Sequence, residues 1–343
     1  MPQLRVASSL LLCSVLWAGA APQEPPSGTV LVANMDDDSV WLVDVATGER
    51  RGRIATHIAP HEIAVTSDGT RAAVTNYGDE RGPGNQVQLF DVRTGEVTGE
   101  FAVEGYERLH GAAWIDRDTR LALTSERTGE ILVVDPATGA VERALPTGGR
   151  ASHMLALAAP WVWTANIADG TVSRLSLGGG APPTTWPAGT RTEGIAATPD
   201  GAEGWTGSMQ GGEVVGVDGA SGRIVHRVEG LGVPYRLAIT ADGSTVVVSD
   251  PERHVLGLID RASGALTQVD VGAAAREAGL DGAPSPQGFV LSPDGRWAFV
   301  STKNVDRVAV VDLRAGRVVR FLQAGDGPDG IAFSPVRSGV GPE

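Results

Sequence analysis

The sequence predicts an all-β fold, a seven-bladed β-propeller whose blades are four-stranded antiparallel sheets. One unit recurs seven times between Gly28 and the C-terminus: an apolar strand, an Asp-x-x-(Thr/Ser/Ala)-Gly turn and a further strand. Neighbouring turns lie 41 to 52 residues apart, which is the spacing typical of one four-stranded blade. A repeat array of this kind buries one continuous core, so the chain is expected to form a single domain.

The turn that marks each unit begins with Asp in six units and is degenerate in the fourth. In chain order the turns are Asp44–Gly48, Asp91–Gly95, Asp135–Gly139, Ser176–Gly180, Asp218–Gly222, Asp260–Gly264 and Asp312–Gly316. Within the unit that starts at His61, alternation and turn chemistry predict strands over 62–66, 71–76, 87–91 and 97–103.

The two ends of the repeat array complement each other. The first unit begins at Thr29 without an inner strand before it, and the last inner strand, 330–333, has no partners after it. The C-terminal strand is therefore predicted to complete the N-terminal blade, which closes the ring and removes its free edges.

The N-terminus has the pattern of a cleaved secretory signal. Residues 1–20 carry a single Arg5, an apolar run and a small-residue end, and the only cysteine, Cys13, lies inside that run. We expect a signal peptide over 1–20, a linker over 21–28, the propeller over 29–335 and a tail over 336–343. No later apolar run is long enough to span a membrane. The mature protein is thus predicted to be periplasmic or secreted.

The charge of the chain bears on its partners. The formal net charge of −13 repels phosphate backbones, so we expect no nucleic-acid partner. We expect a monomer whose partner is a small molecule or another protein, of unknown identity.

Three segments of the repeat resemble a known family. Residues 60–69 (PHEIAVTSDG), 72–77 (AAVTNY) and 292–302 (SPDGRWAFVST) resemble the YVTN-type β-propeller repeat. The resemblance covers essentially the whole mature chain and implies the same fold. It does not imply one activity, because the family includes surface-layer proteins, periplasmic proteins of unsettled role and relatives of lactonases.

Aligning the repeats shows which residues face the central channel. The residue that enters each inner strand is in turn His61, His110, His153, Glu193, Tyr235, Gln287 and Asp329. Three of the six histidines of the chain fall in this one register. Imidazole and carboxylate are ligands for transition metals. The sequence therefore predicts a metal site made by His61, His110, His153 and Glu193, for zinc, copper or iron without distinction.

Further residues are predicted at the channel mouth as ligand contacts. Tyr235, Gln287 and Asp329 belong to the ring itself, and Glu62 and Arg236 are adjacent to it. The ends of the second strands add Asn76, Glu126, Asn166, Asp250 and Lys303. Two long segments, 77–85 and 271–286, extend the loops, and one or two helical turns are predicted over 273–279.

Two functions stay open on the sequence alone. The first is a ligand- or partner-binding propeller with a metal held by histidines at the channel mouth. The alternative is a metal-dependent hydrolase or lyase, similar to lactonases or streptogramin lyases, that uses the same histidines. A channel lined by polar residues that only bind water, or that bind an anionic ligand directly, also fits the pattern.

Overall fold

Seven four-stranded antiparallel sheets surround a central channel in the computed structural model, which describes residues 24–339. Neighbouring sheets contact one another all the way around the ring, mainly through their inner strands. This confirms the predicted fold class. We number the blades 1 to 7 from the sheet that contains the N-terminal strands.

Blades 1 to 3 have these bounds. Blade 1 contains β1 Thr29–Asn34, β2 Ser39–Asp44, β3 Arg50–Ala55 and the C-terminal β30 Pro328–Ser334. Blade 2 contains β4 Pro60–Val65, β5 Arg71–Asn76, β8 Gln86–Asp91 and β9 Val97–Ala102, with the small hairpin β6 Gly78–Asp79 and β7 Gly82–Pro83 inserted between β5 and β8. Blade 3 contains β10 Leu109–Ile115, β11 Arg120–Ser125, β12 Glu130–Val134 and β13 Val141–Pro146.

Blades 4 to 7 follow in the same order. Blade 4 contains β14 Ser152–Ala158, β15 Trp161–Asn166, β16 Thr171–Ser176 and β17 Thr184–Pro187. Blade 5 contains β18 Thr192–Ala197, β19 Glu203–Ser208, β20 Glu213–Asp218 and β21 Ile224–Glu229. Blade 6 contains β22 Leu237–Ile239, β23 Thr245–Asp250, β24 Val255–Asp260 and β25 Leu266–Asp270. Blade 7 contains β26 Pro286–Leu291, β27 Trp297–Thr302, β28 Arg307–Asp312 and β29 Arg317–Gln323, and the only other elements are α1 Val271–Glu277 and a 3₁₀ turn Lys303–Val305 among the described residues.

The ring closes through the two ends of the described chain. Strand β30 pairs antiparallel with β1, with Thr29 opposite Ser334 and Leu31 opposite Ala332. The order in this sheet is β3-β2-β1-β30, as the sequence predicts. Closure of this kind covers the edge that blade 1 would otherwise expose.

The core lies between the blades. Trp297 and Phe299 of blade 7 pack in one cluster with Val30 and Phe333 of blade 1. In the same way Trp205 of blade 5 packs with buried residues of blade 6. Alternating side chains on each strand therefore fill the two sides of every sheet.

The two long segments contain some structure of their own. The segment 77–85 forms the β6–β7 hairpin. Helix α1 begins at Val271, two residues before the predicted start, because the Asp270 carboxylate accepts a hydrogen bond of 2.6 Å from the Ala273 amide and so caps the helix. Across residues 24–339, no helix has the length and apolar character needed to cross a membrane. The predicted signal peptide lies outside the described residues.

Candidate functional site

The seven residues predicted to enter the inner strands, here called the ring residues, occupy the same place in almost every blade. His61, His110, His153 and Glu193 are each the second residue of an inner strand, and the strand pairing shifts register at that point. The same shift occurs at Gln287 and Asp329. A β-bulge leaves one residue out of the ladder and re-aims its side chain. The bulge therefore turns one residue of the inner strand toward the channel.

Hydroxyl groups of the second strands hold these bulges. Oγ1 of Thr75 accepts a hydrogen bond from the Glu62 amide (3.2 Å) and donates one to the His110 carbonyl of the next blade (2.9 Å). Thr124 makes the equivalent pair of contacts one blade further on, at 2.8 and 2.6 Å. The backbone groups that the bulge leaves unpaired are thus satisfied, and neighbouring blades are linked at the site.

In blades 1, 3, 5 and 7 the residue after the ring position is a glycine in close contact with the next blade. A Cβ atom at Gly330 would lie 1.5 Å from the His61 carbonyl oxygen, and one at Gly194 would lie 2.3 Å from the Tyr235 oxygen. Only glycine tolerates this approach without a backbone shift. In blades 2 and 6 the position is instead occupied by Glu62 and Arg236, which bring two charged side chains to the channel.

His61 and His110 form an imidazole pair at the channel mouth. Their Nε2 atoms are 3.0 Å apart and their ring centroids 4.0 Å apart. Both side chains are buried. Burial lowers the pKa of His61 to about 4 and holds the pKa of His110 well below its ordinary value. Both rings are therefore neutral at pH 7, the form in which imidazole binds a metal.

Glu62 stands between the imidazole pair and Arg236. Its Oε1 lies 3.9 Å from Nδ1 of His61 and 3.2 Å from a terminal nitrogen of Arg236. Burial raises the pKa of Glu62 to about 7 against the opposing effect of Arg236. His61, Glu62 and His110 offer ligand atoms within 4.8 Å of one another and form a group that could hold a metal ion.

His153 lies beside the pair but is held by two carboxylates. Its Nδ1 is 2.9 Å from Glu126 and its Nε2 is 3.4 Å from Glu193, which also accepts a hydrogen bond of 2.9 Å from Arg236. Burial opposes the charged imidazolium, but the two carboxylates outweigh it and raise the pKa of His153. Burial likewise opposes the charged form of Glu193, and His153 with Arg236 lowers its pKa to about 2. Both nitrogens of His153 thus have partners within the protein.

Tyr77 covers the site and was not among the predicted residues. Its ring stands nearly perpendicular to His61 and His110, with centroid distances of 5.2 Å to each. The phenol donates a 2.5 Å hydrogen bond to Glu126 and accepts hydrogen bonds from the Arg108 guanidinium, whose centre lies 4.2 Å from the ring centroid. The signal was present in the sequence, because Tyr77 directly follows Asn76 at the end of a second strand and opens the long segment 77–85.

Three predicted second-strand residues engage their own blades. Asn166 donates hydrogen bonds to Thr171 and Ser173, and Asp250 accepts backbone hydrogen bonds from the segment before β22 and from the turn after β23. Asn76 donates to the Gln86 carbonyl, while its Oδ1 is buried without a hydrogen-bond partner in the part of the chain that the structure describes. The first two side chains stabilise turns.

The remaining predicted residues lie at different places around the ring. Tyr235 stacks against Arg236, whose guanidinium carbon is 4.5 Å from the ring centroid, and lies next to Glu193. Gln287 donates to Ser285, and Lys303 lies 3.9 Å from Asp36. Asp329 reaches His61, with 3.9 Å between Oδ2 and Nε2. The structure therefore brings Glu62, Glu126, Tyr235, Arg236 and Asp329 together with the predicted metal ligands.

Comparison with known proteins supports the fold. No protein-family model and no curated protein matches the sequence. A protein of unknown function from Desulfotomaculum acetoxidans matches with a TM-score of 0.72 at 16% identity, covering 90% of this chain and 99% of its own. The periplasmic gluconolactonase of Pseudomonas aeruginosa matches with a TM-score of 0.69 at 15% identity and the same coverage. Hydrazine synthase of Kuenenia stuttgartiensis matches with a TM-score of 0.64 at 18% identity, covering 79% of this chain and 88% of its own.

These identities are too low to carry a function from one chain to another. The chain is similar to seven-bladed propellers, and the YVTN resemblance stays a prediction of the sequence. The chemistry of this protein has to be argued from its own channel residues.

Proposed function

We propose that this protein is an extracytoplasmic ligand-binding propeller that holds a divalent transition metal ion at the channel mouth. The observation that carries the proposal is the distance of 3.0 Å between the Nε2 atoms of His61 and His110. Two nitrogens that each lie about 2.1 Å from one ion are about 3.0 Å apart at a right angle and about 3.4 Å apart at a tetrahedral angle. The pair is thus close to the spacing that a shared ion requires.

The surroundings of the pair support a bound ion. Nδ1 of His61 and Nδ1 of His110 are buried and make no hydrogen bond among the described residues, so no contact at that nitrogen prevents either ring from turning toward a shared ion. Carboxylates of Glu62 and Asp329 lie 3.9 Å from the two nitrogens of His61. A carboxylate completes a site with two imidazoles, and zinc, iron and copper all accept imidazole ligands.

The location is inferred from the N-terminus. The signal-type pattern of residues 1–20 is typical of exported proteins, and one structural neighbour is described as periplasmic. Imidazole and carboxylate ligands need no reducing compartment. Export is therefore compatible with this site.

A metal-dependent hydrolase or lyase is the second candidate, and His153 favours it. An imidazole held between Glu126 and Glu193 carries a proton next to the proposed ion. A site of this kind combines a Lewis acid with a positioned proton donor, as ester and lactone hydrolysis requires. The gluconolactonase among the structural neighbours makes lactones the first substrates to assay.

Elemental analysis of the protein purified without chelators tests the proposal. We expect about one transition-metal ion per chain in the wild type and its loss in a His61→Ala/His110→Ala variant. His57→Ala is a matched control, because that histidine is partly exposed and pairs with Glu100 outside the channel. A wild type that takes up no metal, even after incubation with Zn²⁺, Fe²⁺ or Cu²⁺, refutes the metal site.

A further inference from the structure

We propose that Asp329 is the third protein ligand of this ion, so that the site consists of His61 Nε2, His110 Nε2 and the Asp329 carboxylate. The inference rests on the proposed metal-binding function and names the carboxylate that completes it. The three residues come from blades 1, 2 and 3, which are neighbours around the ring. The closing strand β30 contributes the carboxylate.

His110 and Asp329 both approach Nε2 of His61. Nε2 of His61 lies 3.0 Å from Nε2 of His110 and 3.9 Å from Oδ2 of Asp329. An ion bound to this nitrogen would therefore have His110 beside it, and the Asp329 carboxylate would have to move toward it. Small side-chain rotations bring the carboxylate oxygen to a bonding distance of about 2.0–2.2 Å.

The environment of Asp329 favours a cation beside it. The residue is only 3% exposed, and its Oδ1 is buried without a hydrogen bond among the described residues. Removing an ionised carboxylate from water costs several kcal/mol unless a charge or hydrogen bonds compensate it. Among the described residues, the basic group within 4 Å of the Asp329 carboxylate is the His61 imidazole, which is neutral when it binds a metal. Arg236 acts on Asp329 from a greater distance, and a divalent ion at Nε2 would add a positive charge in direct contact with the carboxylate.

Glu62 is the rival carboxylate, and its contacts assign it another task. It faces Nδ1 of His61, on the opposite side of the ring from the metal position, and it pairs with Arg236 at 3.2 Å. Arg236 in turn is fixed by Glu193 at 2.9 Å. Metal-bound histidines commonly donate their second N–H to a carboxylate that orients the ring. Glu62 lies on that side of His61, at 3.9 Å and without a hydrogen bond to it, so we assign it the role of orienting His61 through its charge.

This ligand set defines the kind of ligand that the ion would take. Two imidazoles and one carboxylate leave positions open on a four- to six-coordinate ion such as Zn²⁺ or Fe²⁺. Oxygen donors, such as water or the carboxylate of an organic acid, suit these positions. The Tyr77 ring and His153 both lie against the imidazole pair and would border a ligand bound there.

Metal titration of three variants tests the assignment, with Zn²⁺ for affinity and Co²⁺ for its visible absorption bands. Asp329→Asn keeps the shape of the side chain but removes its charge, and we expect Zn²⁺ affinity to fall by more than about 100-fold. Glu62→Gln should reduce it by only about 10- to 100-fold, the usual effect of an orienting residue. Asp326→Asn is the control, because this exposed carboxylate lies three residues earlier on the same segment and should leave affinity unchanged.

The Co²⁺ spectrum and thermal unfolding make the result decisive. We expect Asp329→Asn to alter the Co²⁺ bands and to lose the stabilisation that added Zn²⁺ gives the wild type, while its unfolding temperature without metal shows that it still folds. A loss of affinity in Asp329→Asn that is no larger than in Glu62→Gln, with unchanged Co²⁺ bands, overturns the assignment of Asp329. Failure of the wild type itself to bind either ion overturns the proposed function instead, so the two outcomes are distinguishable.

Discussion

Nε2 of His61 and Nε2 of His110 approach to 3.0 Å across two neighbouring blades. Neither residue is near the other in the sequence, and each is aimed by the bulge of its own inner strand. The distance between them is therefore a property of how the blades pack. Changes to that packing, as well as to the ligands, should alter metal binding.

Variants of the imidazole pair and of His153 should distinguish metal binding from catalysis. We expect His110→Gln to lose most of its metal, because it removes one nitrogen of the pair. His153→Gln should keep the metal, since both nitrogens of His153 face carboxylates, and should lower any lactone hydrolysis by about 100-fold or more, the usual contribution of general acid–base catalysis. Metal content and hydrolysis are measured on the same preparations. Equal metal loss in both variants would show that His153 is a ligand, as the sequence predicts.

The hydroxyl of Thr75 should affect metal affinity only by holding Glu62 and His110 in position. Thr75→Val removes the contacts to the Glu62 amide and the His110 carbonyl, and we expect a stability loss of about 1–3 kcal/mol with about 10-fold weaker Zn²⁺ binding. Thr75→Ser keeps the hydroxyl and should retain both the stability and the Zn²⁺ affinity. Thr206→Val is the control, because Thr206 donates a hydrogen bond of 2.6 Å to the Gly194 carbonyl of its own blade, away from the imidazole pair. A purely structural role would give Thr206→Val the same loss of affinity.

Tyr77 should control how fast the ion leaves. Its ring covers the imidazole pair, so Tyr77→Ala is expected to speed metal removal by a chelator about tenfold, which corresponds to about 1.4 kcal/mol. Tyr77→Phe keeps the ring and should stay near the wild-type rate. Stopped-flow chelation measures both rates. If Tyr77→Ala releases metal no faster than Tyr77→Phe, the ring does not restrict access.

Gly330 should tolerate no side chain. A Cβ atom there would lie 1.5 Å from the His61 carbonyl oxygen, so Gly330→Ala must push β30 away from β4 and is expected to cost about 3 kcal/mol or more. Gly316→Ala is a useful comparison, because a Cβ at that turn meets nothing within 4 Å, although its φ of +62° adds backbone strain. Chemical denaturation gives both values. A variant of Gly330 as stable as that of Gly316 would contradict the close approach of the two strands.

Acid should weaken the turns that join inner and second strands. Hydrogen bonds from Thr66 and Thr70 hold the pKa of Asp68 at about 2, below its ordinary value of 3.8. Because this pKa is lowered by folding, the stabilisation is complete above about pH 4 and is lost as the pH falls toward 2. Asp68→Asn should therefore be less stable than the wild type at pH 6 and similar to it at pH 2. Urea midpoints of both proteins at the two pH values measure the stability difference. An equal difference at pH 6 and pH 2 would show that the charge of the Asp68 carboxylate is not its cause.

The repeat register explains how much of the site could be predicted. The sequence places His61, His110 and Asp329 at one position of the repeat, and the structure has each as the second residue of its inner strand. The fold and its closure follow from the same alignment. Turn chemistry also accounts for the elements between the strands, because Asp and Gly occur where the chain reverses.

Contacts across the channel could not be predicted. Arg236 pairs with Glu62 although 174 residues separate them, and no pattern within a repeat indicates which side chains on different blades will meet. His153 was predicted to share a metal ion with Glu193, whereas its two nitrogens face Glu126 of blade 3 and Glu193 of blade 5. The repeat alignment did not identify Tyr77 as a site residue, because it lies in an insertion that other repeats lack.

The position of β30 has a consequence for the order of events during synthesis. Strands β1 to β3 emerge first, yet their inner partner is made only after every other blade. Blade 1 must therefore remain incomplete until Asp329 has left the ribosome. If Asp329 is a ligand, a growing chain can have both histidines in place and still lack the third donor, so tight capture of the ion would wait for completion of the whole ring.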